Sequence, residues 1–450
     1  MMIQTTSSVH GPHSVPGPPR TTISPKDDRL QSLKHELHQQ IIESIDISRI
    51  GSMSEEDLRK EIRSAAEDLS RRNSGLLNLS ERERLVNEVV DETFGLGPLE
   101  PLMHDPTVSD ILINGPKTVY VEKNGRLELS DVRFSNEKHL LQIIQKIVGR
   151  VGRRVDESSP MVDARLEDGS RFNAIISPLA LDGSLVSIRR FPANPMMAAD
   201  LIARHSIAPQ MVEFLAACVK ARCNILISGG TGSGKTTLLN ILSGYISGTE
   251  RIATIEDAAE LRLQQAHVVR METRPANIEG NGEVTSRDLL RNAMRMRPDR
   301  IVIGESRGPE ALDMLQAMNT GHEGSMTTLH ANDSREALSR LEMMVGMAGF
   351  DLPIWIIRRQ IASAVEIVVQ SSRLAGGVRK ITQISEITGM EGEIISMHDV
   401  FKFKQTGLDE NGAAVGDFYA TGVRPHCLEK LEASGIQLPF DMFEHSQLSF

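Results

Sequence analysis

The period of the apolar positions changes along the chain, and each change marks a different kind of structure. From Asp27 to about Asn73 apolar residues recur at helical spacing, first as Leu30, Leu33, Leu37, Ile41, Ile42 and Ile45, then as Leu58, Ile62, Ala65 and Leu69. That spacing predicts two or three amphipathic helices. Another helix is predicted from Ser80 to Thr93, stopped by the breakers Gly95-Leu96-Gly97-Pro98. The period then shortens: Asp110–Asn114, Thr118–Glu122 and Leu185–Phe191 read as strands, Lys123-Asn124-Gly125 as a turn and Asn136–Val148 as a helix among them. Residues 80–198 are therefore expected to form an α+β domain, with the proline-bearing stretch Pro192–Ala199 as a linker. From residue 199 to about 370 short apolar runs alternate with helical stretches, the pattern of a parallel sheet with crossover helices. From Gln370 onward the chain reads as short strands around an Asn411-Gly412 turn. Residues 1–26, rich in Ser, Thr, Pro, Gly and His, bury too little to offset ordering entropy and read as a disordered tail. Residues 27–79 remain as an N-terminal helical region.

One segment within the α/β part carries chemistry on its face. Gly229-Gly230-Thr231-Gly232-Ser233-Gly234-Lys235-Thr236 has the G-x-x-x-x-G-K-[ST] pattern of a phosphate-binding loop. The apolar run Cys223–Ser228 before it is long enough for a buried strand, and Thr236-Thr237-Leu238-Leu239 opens a helical pattern after it. Glycines let the backbone amides turn toward phosphate oxygens, and the start of the helix adds its positive dipole. Lys235 is the residue expected at the β- and γ-phosphates, with the Thr236 hydroxyl on Mg²⁺.

Two further strand-like runs end in acids: Arg251-Ile252-Ala253-Thr254-Ile255-Glu256-Asp257 and Arg300-Ile301-Val302-Ile303-Gly304-Glu305. Ligands of open α/β sheets sit beyond the carboxyl ends of the strands, so Glu256, Asp257 and Glu305 are expected to converge on the γ-phosphate and its metal. Glu305 is expected to activate the attacking water, with Glu256 on the metal or water beside it; solvated acid caps are the plainer alternative. His322 and His330 flank a short strand within Gly321–Asn332; His330, at its end, is placed to sense the γ-phosphate, whereas His322 is weaker. Arg287, Arg291 and Arg295 recur every fourth residue on a helix that Thr285 or Ser286 can cap, a subunit-contact or solvated face.

Composition narrows the partners. With a formal charge of −10, a pI near 5.8 and 4% aromatic residues, the chain lacks the basic surface and stacking platforms of a nucleic-acid binder. Three cysteines, Cys218, Cys223 and Cys427, with no C-x-x-C pair, fit a reducing, cytoplasmic compartment. The most apolar region, Met211–Ile227, is interrupted by Glu213, Lys220, Arg222 and Asn224, so membrane association is expected to be peripheral or through a partner.

The four boxes in this order, the phosphate loop, Thr254-Ile255-Glu256-Asp257, Pro298–Glu305 and Gly321-His322 through His330, resemble the type II/type IV secretion ATPase superfamily. Gly95-Leu96-Gly97-Pro98-Leu99, Ile111–Gly115, Asp163-Ala164-Arg165-Leu166 and Arg274–Gly280 are similar to the tight-adherence (Flp) pilus ATPases of the CpaF type. The paired C-x-x-C element of many pilus-extension relatives has no counterpart here. The resemblance implies a RecA-like motor over residues 199–450 with a C-terminal extension, a preceding PAS-like α+β domain, ATP and Mg²⁺ as ligands, and a homohexamer working on an inner-membrane platform protein. It also implies that arginines of the preceding domain reach the nucleotide. Arg165 and Arg171 match that pair, with Arg189 and Arg190 as secondary candidates and Arg270 and Arg274 as possible phosphate or subunit contacts. A RecA-like nucleic-acid motor and a nucleotide-gated scaffold with little turnover are the competing readings.

Overall fold

Met1–Arg190 and Phe191–Phe450 form two compact units, each built on its own sheet. The computed structural model describes residues 95–450 apart from 124–125, 191–195, 275 and 277–280, together with scattered positions between 60 and 91. The tail expected over 1–26 lies outside the described residues, as does most of the helical region expected over 27–79.

In the first unit β1 (Val108–Asn114), β2 (Val119–Lys123), β3 (Arg126–Leu129), β4 (Met161–Arg165), β5 (Arg171–Ile175) and β6 (Leu185–Arg189) form an antiparallel sheet in the order β3-β2-β1-β6-β5-β4. The helix Glu137–Arg150 begins where the Asn136 side chain accepts the His139 N–H at 2.9 Å. Its stripe of Leu140, Ile143, Ile144 and Ile147 packs on Ile111, Ile113, Val121, Phe172 and Ile188. Burying one such aliphatic side chain stabilises the fold by about 1.5–3 kcal/mol, and that sum is what holds helix to sheet. The β4–β5 hairpin sets Arg165 opposite Arg171, and Arg171 in turn opposite Arg189. Directly opposed residues share a face, so three arginines stand in a row across one end of this sheet.

The second unit contains β7 (Ile225–Gly229), β8 (Ile252–Glu256), β9 (Val268–Glu272), β10 (Arg300–Ile303), β11 (Met326–Leu329) and β12 (Ile367–Arg373), which run parallel in the order β12-β7-β11-β10-β8-β9. Both faces are covered, so these strands are continuous apolar runs: Ile225 and Ile227 enter one core and Leu226 the other. Arg300 is fully buried at the start of β10 and is tolerated because Glu250 takes its Nε and Nη2 at 2.8 and 2.9 Å while the Val219 carbonyl takes Nη1 at 2.6 Å.

The C-terminal expectation of short strands is corrected by the structure. β13 (Arg379–Glu391) and β14 (Ile394–Leu408) are 13 and 15 residues long, and with β15 (Ala414–Ala420) and β16 (Ser446–Gln447) they extend the motor sheet antiparallel from β12. Bulges at Ile384/Ser385, Ile387/Gly389 and Gln405/Gly407 break the alternation, which is why each strand reads as fragments. Asn411-Gly412 does form the β14–β15 turn, where Asp409 accepts the N–H groups of Asn411 and Ala413. The arginine stripe also has another use: Thr285 caps its helix, but Arg287 and Arg291 both donate to Asp313, at 2.7 and 2.9 Å, within the same unit.

Candidate nucleotide site

β7 runs into the glycine loop and the helix Lys235–Ser243 follows directly, so strand, loop and helix stand in the order a phosphate site needs. Gly229 has φ +157°, and a Cβ there would lie 2.2 Å from the Ser371 carbonyl oxygen and 2.6 Å from Ser233 Oγ. No side chain fits at that bend. Lys235 is buried, and its ammonium donates to the Gly230 carbonyl at 3.0 Å, which folds it back over the loop. Thr236 and Thr237 follow in the first helical turn. The loop is also held from behind: Ser371 Oγ donates to the Ser233 carbonyl at 2.8 Å and Arg379 Nε to the Gly232 carbonyl at 2.9 Å. Both residues come from strands at the C-terminal side, and no local signal in the sequence connects them to the loop.

β8 and β10 are parallel neighbours, so Glu256 and the residues after Ile303 lie at one edge of the sheet. Glu256 is buried; its Oε2 accepts the N–H groups of Glu260 and Leu261 at 2.6 and 2.9 Å, while its Oε1 has no hydrogen-bond partner among the described residues. Burial pushes the Glu256 carboxyl above its ordinary range in spite of those two amides. A Cβ on Gly304 would stand 3.0 Å from Glu256 Cγ, so a larger residue before Glu305 would press on the Glu256 side chain.

Glu305 lies between two basic groups. Arg307 Nη2 donates to its Oε2 at 2.8 Å, and His330 Nε2 stands 2.9 Å from its Oε1. Arg307 also reaches Asp257 at 3.3 Å, so the second acid of the β8 run joins the site through this arginine. Burial alone would raise the Glu305 carboxyl, but Arg307, His330 and Lys235 together hold it below its ordinary value. His330 is lowered by burial, with Lys235 and Arg307 adding to the effect against the pull of Glu305. Neutral imidazole beside ionised carboxylate is the resting state at pH 7.

His330 directly follows β11 at the carboxyl edge beside the loop, whereas His322 precedes β11 and lies at the opposite edge of the parallel sheet. His322 is therefore outside the site. Arg190 is committed to its own unit, where Nη1 donates to the carbonyls of Leu102 and Val108 at 3.1 and 3.0 Å. Arg274 donates to the Gly282 carbonyl at 2.7 Å, and Arg270 is exposed on β9, close enough for its charge to act on Glu256. Arg307, Arg373 and Arg379 are the basic residues that reading the sequence missed. A Cβ on Gly232 would stand 3.5 Å from the Arg373 guanidinium, so Arg373 flanks the loop as Arg379 does.

The type II/IV secretion system protein family matches residues 92–406. The chain belongs to that family. A Mycobacterium tuberculosis (strain H37Rv) protein whose name assigns it provisionally to conjugal transfer is 38% identical over 348 residues, covering 75% of this chain and 97% of its own length. The type IV secretion system protein VirB11 of Brucella suis is 31% identical over 315 residues, 64% of this chain and 87% of the relative. The crystal structure of the Brucella suis VirB11 ATPase in complex with sulphate matches at 29% identity and a TM-score of 0.36, covering 65% of this chain and 97% of that one. The phosphate loop thus belongs to a secretion ATPase, an enzyme that binds and hydrolyses ATP. Among its described residues no helix is long and apolar enough to cross a membrane.

Proposed function

We propose that this secretion ATPase is a Mg²⁺-dependent homohexameric motor of the tight-adherence (Flp) pilus type, working at the cytoplasmic face of an inner membrane through a platform protein to assemble a pilus. The observation that carries the hydrolytic part is the Glu305 carboxylate held ionised by Arg307, with His330 beside it, at the sheet edge that bears the phosphate loop. The CpaF-like segments, with no paired C-x-x-C element, support the pilus type.

Each residue then has a task. Backbone amides of Gly230 to Thr236 and the Lys235 ammonium bind the phosphates, with Lys235 exchanging the Gly230 carbonyl for phosphate oxygen. Thr236 and the unpartnered, buried Oε1 of Glu256 are the groups fitted to hold Mg²⁺ or its water, and no group of three or more His, Cys, Asp or Glu among the described residues offers another metal site. The ion would supply charge neutralisation at the phosphates. Glu305 accepts the proton of the attacking water, and its lowered basicity is matched by the ease with which it stays ionised. His330 keeps the carboxylate facing the γ-phosphate. The family resemblance assigns stabilisation of the charge that develops there to Arg165 and Arg171, which share a row with Arg189 in the first unit.

Arg165→Ala and Arg171→Ala are each expected to fold and assemble like the parent and to lose turnover about tenfold or more, part of the 10³–10⁵ an arginine finger can be worth. Hexamer content and ATPase rate measured on both variants check this; wild-type turnover in both would sink the two-domain site. Acidity gives a second test. With His330 lowered from its ordinary value of 6.5, it is neutral above that pH, and protonation below it weakens Glu305 as a base. The sign follows: kcat/KM, which reports the free enzyme, stays level from pH 8 to about 6.5 and falls below it. The stability that the neutral ring contributes is likewise complete above pH 6.5 and lost as pH falls through the lowered value. An acid limb centred above pH 7 contradicts the assignment.

The functional reading is tested by ATPase assay of the purified protein with and without a candidate membrane platform protein. Stimulation by that protein supports a pilus motor. Stimulation by DNA instead points to the nucleic-acid motor, which the charge of −10 disfavours, and tight ATP binding without turnover in either case points to the scaffold.

A further inference from the structure

Gln370 is buried near the end of β12, and its amide reaches across the phosphate-loop strand. β12 pairs with one side of β7, with Gln370 opposite Ser228, and β11 pairs with the other side. From β12 the Gln370 Nε2 donates to the carbonyls of Ala331 and Asn332 at 3.3 and 3.0 Å, and its Oε1 accepts the Ser228 hydroxyl. Ser228 is the residue before Gly229, where the loop begins, and Ala331 is the residue after His330. Both donors and the acceptor of the amide are engaged, so it acts as a strut of set length between the start of the loop and the segment that carries the histidine.

We propose that Gln370 is a positioning residue for ATP hydrolysis, an amide strut that sets His330, and through it Glu305, against the phosphate loop. The proposal rests on the reading of His330 and Glu305 given above. Binding of the phosphates depends on loop amides and Lys235, none of which the strut touches directly, whereas hydrolysis depends on where the Glu305–His330 pair stands relative to the loop. A displacement of about 1 Å in such a pair can cost about 10²-fold in rate. Loss of the strut therefore acts on kcat and leaves ATP affinity in place.

Gln370→Met keeps length and burial and removes every polar function; Ser228→Ala removes only the hydroxyl that anchors one end, and serves if the methionine variant folds poorly. The measurements are the Kd for ATP, kcat, thermal midpoint, and a double-mutant cycle with His330→Ala. The expected result for Gln370→Met is a Kd within about twofold of the parent, kcat down about tenfold to a hundredfold, and little further loss in the His330→Ala background, because both changes act through one group. Ser228→Ala should show the same pattern to a smaller degree. An unchanged kcat, a Kd that weakens in step with kcat, or losses that multiply with those of His330→Ala would each overturn the proposal. His330→Ala alone tests the reading beneath it: a wild-type rate there removes that reading, while a crippled rate beside an unaffected Gln370→Met removes the strut alone.

Discussion

Glu305→Gln should bind ATP as tightly as the parent and hydrolyse it about 10²–10⁴-fold more slowly, the range expected when a positioned general base is lost. The amide has the size of the carboxylate and still accepts from Arg307, whose nitrogen donates to Oε2 at 2.8 Å, so the site keeps its shape. It has no lone pair basic enough to take a proton from water. Single-turnover hydrolysis and equilibrium ATP binding on the same preparation separate these two properties. Should Glu256→Gln prove far more damaging to turnover than Glu305→Gln, the roles of the two acids are exchanged.

Lys235→Ala acts earlier in the cycle. Its ammonium is the one side-chain charge placed within the loop, and a hydrogen bond to a charged group contributes about 1.5–3 kcal/mol, so ATP affinity should fall roughly 10- to 10²-fold and hydrolysis should cease. The fold should change little, because the hydrogen bond from Lys235 to the Gly230 carbonyl, at 3.0 Å, lies within the loop itself. Nucleotide-free melting close to that of the parent, together with weakened binding by calorimetry, is the expected pair of results. Near-normal turnover in this variant would overturn the placement of the phosphates.

The features legible in the sequence are those whose chemistry is local. A phosphate loop needs a strand, a run of glycines and a helix within about fifteen residues, and acids at strand ends need only the strands to be recognised; both signals survive without knowing which strand neighbours which. Arg307, Gln370, Ser371 and Arg379 could not be found that way. Gln370 meets Ser228 because β12 lies beside β7, and Ser371 and Arg379 meet the loop because β12 and β13 pass behind it; strand order in a sheet is a long-range property. Arg307 is two residues from Glu305 and yet carries no sequence signal, since a lone arginine after an acid has no periodic or motif signature. The stripe of Arg287 and Arg291 misled for a related reason: helical spacing shows that they share a face, but not that Asp313 waits opposite. The three cysteines, scattered in sequence, all end buried in one core with Ile225 and Ile227. The bulges in β13 and β14 disguised two long strands as short ones.

The continuous sheet bears on how this protein can be cut. β12 has β7 on one side and β13 on the other, and the chain after β15 returns Leu431, Met442, Phe443 and Leu448 to the core beneath β7. Ending the chain after β12 would leave that strand as a bare edge with unpaired N–H and C=O groups next to the strand that feeds the loop, and would uncover the apolar layer under it. Exposed edges of that kind pair with other chains. A minimal soluble motor is therefore not obtained by trimming to the recognisable boxes, and any tag, fusion or crystallisation fragment has to carry the chain through Leu448 to keep the sheet closed.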